Sequence, residues 1–116
     1  MSASNKIVAE LLKKHSQAVK PGTPAVTAKE VDRLIEGLRG WKASGGQISK
    51  TYSFKNYYET MAFVNAVAWV SHREDHHPDM EVGYNRCVVH YSTHSVGGLS
   101  ENDFICAAKV DALMEA

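Results

Sequence analysis

The strongest secondary-structure signals lie in the sequence WKASGGQISKTYSFKNYYETMAFVNAVAWVSHR, residues 41–73. Its first part, residues 41–54, predicts a β-hairpin, because the Gly45-Gly46 pair is a turn signal and side chains of alternating polarity follow it. Its second part predicts a helix over residues 57–73, because Asn56 is a good N-cap residue and apolar side chains follow on more than one helical face. Such a helix is buried on more than one side, either at the centre of the fold or against another subunit.

Weaker patterns on both sides of this stretch supply the other elements. A narrow apolar stripe among lysines predicts a helix over residues 5–18, and prolines at residues 21 and 24 end it. The remaining predicted elements are a helix over 28–39 with a capping box at Thr27, strands over 80–84 and 86–92, and a final helix capped by Ser100.

This order of elements predicts an α+β fold. Hairpins that flank a long helix indicate a four-stranded antiparallel sheet with helices packed on one face, plus an N-terminal helical extension. We expect residues 1–23 to form that extension and a linker, and residues 24–116 to form the domain itself.

Length and charge restrict the class of protein. A chain of 116 residues is one domain with a small core, which oligomerisation would help to stabilise. Thirteen basic residues balance thirteen acidic ones, so the sequence lacks the basic excess typical of nucleic-acid binders. The longest strongly apolar stretch, Ala66–Val70, is too short to cross a membrane. With no secretory signal and with Cys87 and Cys106 interpreted as free thiols, we expect a cytoplasmic protein.

A cluster of histidines marks the candidate site. Five of the six histidines lie between residues 72 and 94. The pair His76-His77 follows the long helix and His94 follows the last strand, and such element ends converge on shared clefts. The ordinary pKa of histidine, about 6.5, suits proton transfer near neutral pH. We interpret His15 as a surface residue and His90 as a residue of an interface or of the open sheet face.

A metal site is the competing interpretation of the cluster. His72 and His76 are four residues apart, which places two imidazoles on one helical face. Arg73 and Asp75 stand where the known zinc motifs of this spacing require glutamate. A third ligand would have to come from His94 or a distant carboxylate. We therefore expect no metal, and a metal-dependent hydrolase remains an alternative.

The spacing of these residues resembles the pterin-4a-carbinolamine dehydratase family. The matching residues are His72, His76-His77-Pro78, Tyr84, Ser92-Thr93-His94, Gly98-Leu99-Ser100-Glu101 and Asp103, with Gly40-Trp41 before the first strand. The resemblance covers residues 24–113. Met80 and Ser95 depart from it, since the family commonly has an aromatic residue and a glutamate there.

The resemblance implies an activity and partners. It implies dehydration of a 4a-hydroxytetrahydropterin to quinonoid dihydropterin, without metal or cofactor, because the pterin is the substrate. It implies a homodimer or homotetramer that acts downstream of phenylalanine hydroxylase. Some family members also act as dimerisation cofactors, so a non-catalytic regulatory binding module is the alternative function.

The resemblance also implies roles for residues. His76, His77 and His94 would be catalytic, with His76 and His94 as the acid–base pair and His77 orienting the substrate. Substrate-binding residues would be these three together with Asp75, Ser92, Thr93 and Ser95. Supporting residues would be Pro78, Tyr84, Asp103 and Trp41. The position of Asp103, three residues after Ser100, leaves two roles open: completing a capping box or orienting an imidazole.

Overall fold

The structure is a computed structural model that describes residues 3–115. Its helices are α1 (Ala3–Lys13), α2 (Ala28–Ile35), α3 (Tyr57–Glu74) and α4 (Glu101–Ala112), and its strands are β1 (Lys42–Ser44), β2 (Gln47–Ser53), β3 (Asp79–Val82) and β4 (Arg86–Tyr91). The strands form one antiparallel sheet in the order β1-β2-β4-β3. Side chains of one sheet face are buried under the helices, so the predicted α+β architecture is confirmed.

The first hairpin turns as the sequence predicts. Gly45 and Gly46 have φ of 61° and 78°, the positive values that a tight two-residue hairpin loop requires. Ile48 and Tyr52 of β2 are buried beneath the helices. Lys50, which interrupts that apolar alternation, is satisfied there by an ion pair with Asp111 at 2.9 Å.

The first two helices end earlier than predicted. The prediction of residues 5–18 was wrong at its end, because the backbone amides of Ser16 and Gln17 donate to side chains elsewhere instead of to carbonyls one turn back. The helix predicted over 28–39 ends at Ile35. The weak helix former Gly37 follows, and the chain continues in tight turns that bring Leu38 into the core.

The third strand is also shorter than predicted. It ends at Val82, and the amide of Gly83 donates to the carbonyl of Arg86 at 2.8 Å to close the turn. Tyr84 therefore lies at the tip of the turn and is 66% exposed, instead of continuing the strand.

The central helix is α4, and α3 buries only one stripe. Every residue from Asn102 to Ala108 is buried, and α1 and α3 both pack against α4. Leu11 of α1 is part of the same core. On α3 the opposite face is open, and Trp69 is 60% exposed. The chain alone therefore does not bury α3 on two sides, and burial against another subunit remains a prediction.

Two further sequence expectations concern membrane and thiols. Within residues 3–115, no helix is both long and apolar enough to cross a bilayer. Cys87 and Cys106 are buried free thiols, as the sequence predicts.

Candidate active site

A cleft of about 460 Å³ opens where four elements meet. The C-terminus of α3 and the start of β3 form one side of it, and the end of β4 with the following 3-10 turn, His94–Val96, forms the other. The lining residues are Asp75, His76, His77, Asp79, His90, Ser92, Thr93, His94 and Ser95. The structure thus brings together all the residues predicted to be catalytic or substrate-binding.

The backbone turn at the end of α3 positions His76 in this cleft. Asp75 adopts the left-handed conformation, with φ of 51°, and its amide donates to the carbonyl of Ser71. Aspartate tolerates this conformation better than most residues, so the chain reverses direction at that point. The ring of His76 then stacks on Tyr91, with 5.7 Å between ring centroids and 15° between planes.

The buried carboxylate of Asp103 contacts the imidazole of His76. One carboxylate oxygen, Oδ1, lies 2.6 Å from Nε2 of His76. The other, Oδ2, accepts from the hydroxyl of Thr93 at 2.8 Å and from the amide of Ser100 at 2.9 Å. Asp103 is fully buried and also completes the capping box of α4. Both roles that the sequence left open are therefore filled by the same side chain, one by each oxygen.

This pairing fixes the tautomer of His76. A carboxylate only accepts hydrogen bonds, so the short contact assigns a proton to Nε2. In the neutral ring, Nδ1 is then the unprotonated, basic nitrogen. A carboxylate at Nε2 also stabilises the cation that forms when Nδ1 of such a histidine accepts a proton.

The other two histidines lie at the rim. His77 is exposed, and its Nδ1 lies 3.4 Å from the carbonyl of the next residue, the buried Pro78. His94 is exposed at the start of the 3-10 turn, which ends at Gly97 with φ of 64°. Both imidazoles are accessible to a ligand in the cleft.

None of the four predicted supporting residues lines the cleft itself. Asp103 reaches it through His76 and Thr93, and Pro78 is buried between two lining residues, whereas Trp41 and Tyr84 lie elsewhere. Trp41 is buried in the core, where its Nε1 donates to Asp111 at 3.2 Å. Tyr84 is at the exposed turn, and its carbonyl accepts from the hydroxyl of Thr60.

The sequence interpretation did not place Asp79 and His90 in the site. They are directly paired across β3 and β4, and both line the cleft. His90 lies on the open sheet face, as predicted, where Nε2 is 2.6 Å from Glu81 and Nδ1 is 2.7 Å from Ser49. The pairing of β3 with β4 was the signal that could have identified them.

The histidine pair proposed for a metal is divided between two environments. His72 stacks on Trp69 with 6.0 Å between ring centroids and does not line the cleft, while His76 binds Asp103. Among residues 3–115, no group of three or more His, Cys, Asp or Glu side chains is placed to hold a metal ion.

An α+β domain whose cleft is lined by four histidines, one of them paired with a buried carboxylate, is arranged for general acid–base chemistry on a small polar molecule. Residues 24–113 match the family described as pterin 4 alpha carbinolamine dehydratase, and the chain belongs to this family.

Known relatives agree with this assignment. A protein of Nitrosomonas eutropha, provisionally named pterin-4-alpha-carbinolamine dehydratase, is 57% identical over 92% of this chain and 96% of its own length. A protein of Bdellovibrio bacteriovorus with the same provisional name is 56% identical over 90% of this chain and 88% of its own. A crystal structure of a transcriptional coactivator/pterin dehydratase from Brucella melitensis aligns with a TM-score of 0.75 at 29% identity, covering 78% of this chain and 99% of that chain.

Proposed function

We propose that this chain removes water from a 4a-hydroxytetrahydropterin to give quinonoid dihydropterin, which recycles the pterin used in aromatic amino-acid hydroxylation. The family membership supports the reaction class, and the relatives' names refer to the same chemistry. The observation that carries the proposal is the buried Asp103 carboxylate 2.6 Å from His76 in a cleft that His77 and His94 also line.

The reaction needs one proton donor and one proton acceptor. The bond between C4a and the hydroxyl oxygen breaks, and the oxygen leaves as water after it receives a proton. N5 loses its proton, and its electron pair forms the new C4a=N5 double bond. The atoms balance as the loss of one water. No electrons are transferred, and therefore the scheme needs no redox cofactor.

The geometry suits His76 to the acceptor role and His94 to the donor role. Asp103 leaves Nδ1 of His76 basic and stabilises the imidazolium formed when that nitrogen takes the N5 proton. His94, exposed on the opposite side of the cleft, would protonate the leaving hydroxyl. His77, Asp75 and Ser92 would bind the polar edge of the ring.

The test is the rate at which enzymatically generated 4a-hydroxytetrahydropterin disappears, measured with a chelator present. We expect the wild-type chain to accelerate it, and His76→Ala or His94→Ala to lose about 10²–10⁴-fold in kcat. His72→Ala is the matched control, because His72 lies outside the cleft, and should retain wild-type kcat.

Three outcomes would contradict this scheme. A folded wild-type protein with no effect on the rate would favour the regulatory binding module. Acceleration lost with chelator would favour the metal-dependent alternative. Equal losses in the His76, His94 and His72 variants would contradict the division of roles.

We also propose that the chain works as a cytoplasmic homodimer or homotetramer. On α3, Tyr58 is 81% exposed and Trp69 is 60% exposed, and their spacing places them on the face that this chain leaves open. Large exposed aromatics of this kind are enriched in subunit interfaces. Sedimentation of the purified chain should show a dimer or tetramer, and Trp69→Lys should shift it towards monomer; a wild-type monomer would refute the proposal.

A further inference from the structure

A second cavity, of about 200 Å³, adjoins the cleft behind His76. It shares Asp75, His76, Thr93 and Ser95 with the cleft. Its remaining lining residues are Ser16, Gln17, Ala18, Val19, Glu74 and Asn102. Residues 16–19 therefore form one side of a space that touches the proposed catalytic base, although they precede the family-matched residues 24–113. Together with His15 they are here called the N-terminal strap.

Glu74 fixes the start of this strap. Its side chain is only 2% exposed. Oε1 accepts from the amide of Ser16 at 2.8 Å, and Oε2 lies 2.9 Å from Nζ of Lys109 and 3.0 Å from Nδ1 of His15. Burial opposes ionisation, but these hydrogen bonds outweigh it and lower the pKa of Glu74 to about 2. The strap is thus bound to an ionised carboxylate two residues before His76.

Asn102 fixes the next residue of the strap. Its Oδ1 accepts from the amide of Gln17 at 3.0 Å, and its Nδ2 donates to the carbonyl of the same residue at 2.7 Å. Asn102 is buried and immediately precedes Asp103. Both residues that bind the strap are therefore close in sequence to the His76–Asp103 pair. The same short segments thus set the shape of the second cavity and the position of His76.

The chemistry of the substrate relates this cavity to its side chain. In a tetrahydropterin, N5 is bonded to C4a on one side and to C6 on the other, and C6 carries the side chain. A base that takes the proton from N5 is therefore within two bonds of the first side-chain atom. The space that adjoins His76 beyond the cleft is where that side chain would extend. The polar residues Ser16 and Gln17 line this space, whereas the amide of Asn102 is already bonded to the backbone of Gln17.

We propose that the second cavity is a specificity subsite that takes a hydroxylated C6 side chain of the pterin, with the N-terminal strap as its determinant. This rests on the proposed dehydratase function. The polar groups of the cavity favour a side chain with hydroxyls over a methyl group, because a methyl leaves them without hydrogen-bond partners. The strap thereby sets substrate preference without taking part in proton transfer.

The experiment compares two substrates, the 4a-hydroxy adducts of tetrahydropterins that carry a dihydroxypropyl or a methyl group at C6. Ala18→Trp fills the cavity from an exposed strap position, and Lys20→Trp, exposed but outside both cavities, is the matched control. We expect Ala18→Trp to lower kcat/KM for the dihydroxypropyl substrate about tenfold or more relative to the methyl substrate, and Lys20→Trp to leave the ratio within about twofold of wild type.

A second variant covers the case in which Ala18→Trp does not fold. Ser16→Leu places an apolar side chain on the same cavity and should shift the ratio in the same direction. A ratio unchanged in both folded variants, or changed equally by Lys20→Trp, would overturn the subsite while the dehydratase function stands. If the wild-type chain accelerates neither substrate, the proposed function itself fails.

Discussion

The two ends of α4 each carry an aspartate that accepts several hydrogen bonds, and they use it differently. Asp103, in the first turn, is fully buried and holds His76, Thr93 and the amide of Ser100. Asp111, in the last turn, accepts from Trp41, Lys50 and Tyr52. The helix dipole favours a carboxylate at the first site and opposes it at the second.

The partners explain how both positions are tolerated. At the N-terminal end the dipole and two donors stabilise the charge, so Asp103 can present its second oxygen to a histidine of the cleft. At the C-terminal end a cation and two neutral donors are needed to offset the dipole, and none of them reaches the cleft. An aspartate can therefore bind a histidine of the cleft at the end of α4 where the dipole helps to stabilise its charge, whereas the aspartate at the other end binds only residues away from the cleft.

Asp103→Asn should have the largest effect, because it removes the charge at the N-terminal end of α4 and reverses the hydrogen bond to His76. The amide oxygen could still accept from Thr93 and Ser100, but the amide nitrogen would donate to Nε2 of His76 and move the ring proton to Nδ1. The base would then carry a proton where it needs a lone pair. We expect kcat to fall about 10²–10⁴-fold with the fold retained. Steady-state kinetics together with circular dichroism would check this, and near-normal kcat would separate Asp103 from the chemistry.

The helix caps and the turn of the first hairpin were predictable because their signals are local. The Ser100 capping box, the Gly45-Gly46 turn and the Asn56 cap are set by residues within a few positions of one another, and the structure confirms them. At Thr27 only half of the predicted capping box forms, because Thr27 accepts from the amide of Glu30 but the carboxylate of Glu30 binds Arg33. The spacing between His76 and Asp103 could be recognised only through the family resemblance. The sequence did not show that one carboxylate serves both cap and histidine.

Contacts between distant segments could not be predicted. The strap binds Glu74 and Asn102, which lie 58 and 85 residues away from its own Ser16 and Gln17. Nothing in the local pattern of residues 5–18 distinguishes an amide that continues a helix from one that binds such a partner. His90 was placed on the correct sheet face, but its position in the cleft depends on the register of β3 against β4.

Glu74 is a third carboxylate and is buried like Asp103, and its partner Lys109 lies on α4 between the two aspartates. Because its pKa is lowered to about 2 from 4.5, its contribution to stability is complete above about pH 4.5 and is lost as the pH falls towards 2. The shift corresponds to about 3 kcal/mol of unfolding free energy. Glu74→Gln should remove this component of the acid destabilisation. Urea unfolding between pH 2.5 and 6 would test this expected pH dependence. The control is Glu101→Gln, because the side chain of Glu101 is 44% exposed and pairs with Lys14.

Asp111→Asn should affect stability without affecting catalysis. The variant loses the charge that pairs with Lys50, whose side chain is 22% exposed. Trp41 and Tyr52 donate to different oxygens of Asp111, so the single amide oxygen of asparagine can replace the acceptor of only one of them. We expect a loss of about 1–2 kcal/mol in unfolding free energy and an unchanged kcat. Thermal unfolding would measure the loss of stability, and steady-state kinetics on the same preparation would measure kcat. A fall in kcat comparable to that of Asp103→Asn would mean that the two ends of α4 are not functionally distinct.

Tyr52→Phe is the smallest change and tests whether the donors to Asp111 act as a set. Burial, and next its hydrogen bond to Asp111, raise the pKa of Tyr52, so the hydroxyl stays protonated and donates throughout the physiological range. Removing it should cost about 1 kcal/mol in the wild-type background. In the Asp111→Asn background the cost should be smaller, because a neutral acceptor makes the weaker bond. Additive losses in the double variant would show that Tyr52 stabilises the fold through its ring contacts with Trp41 and Phe63 instead of through the carboxylate.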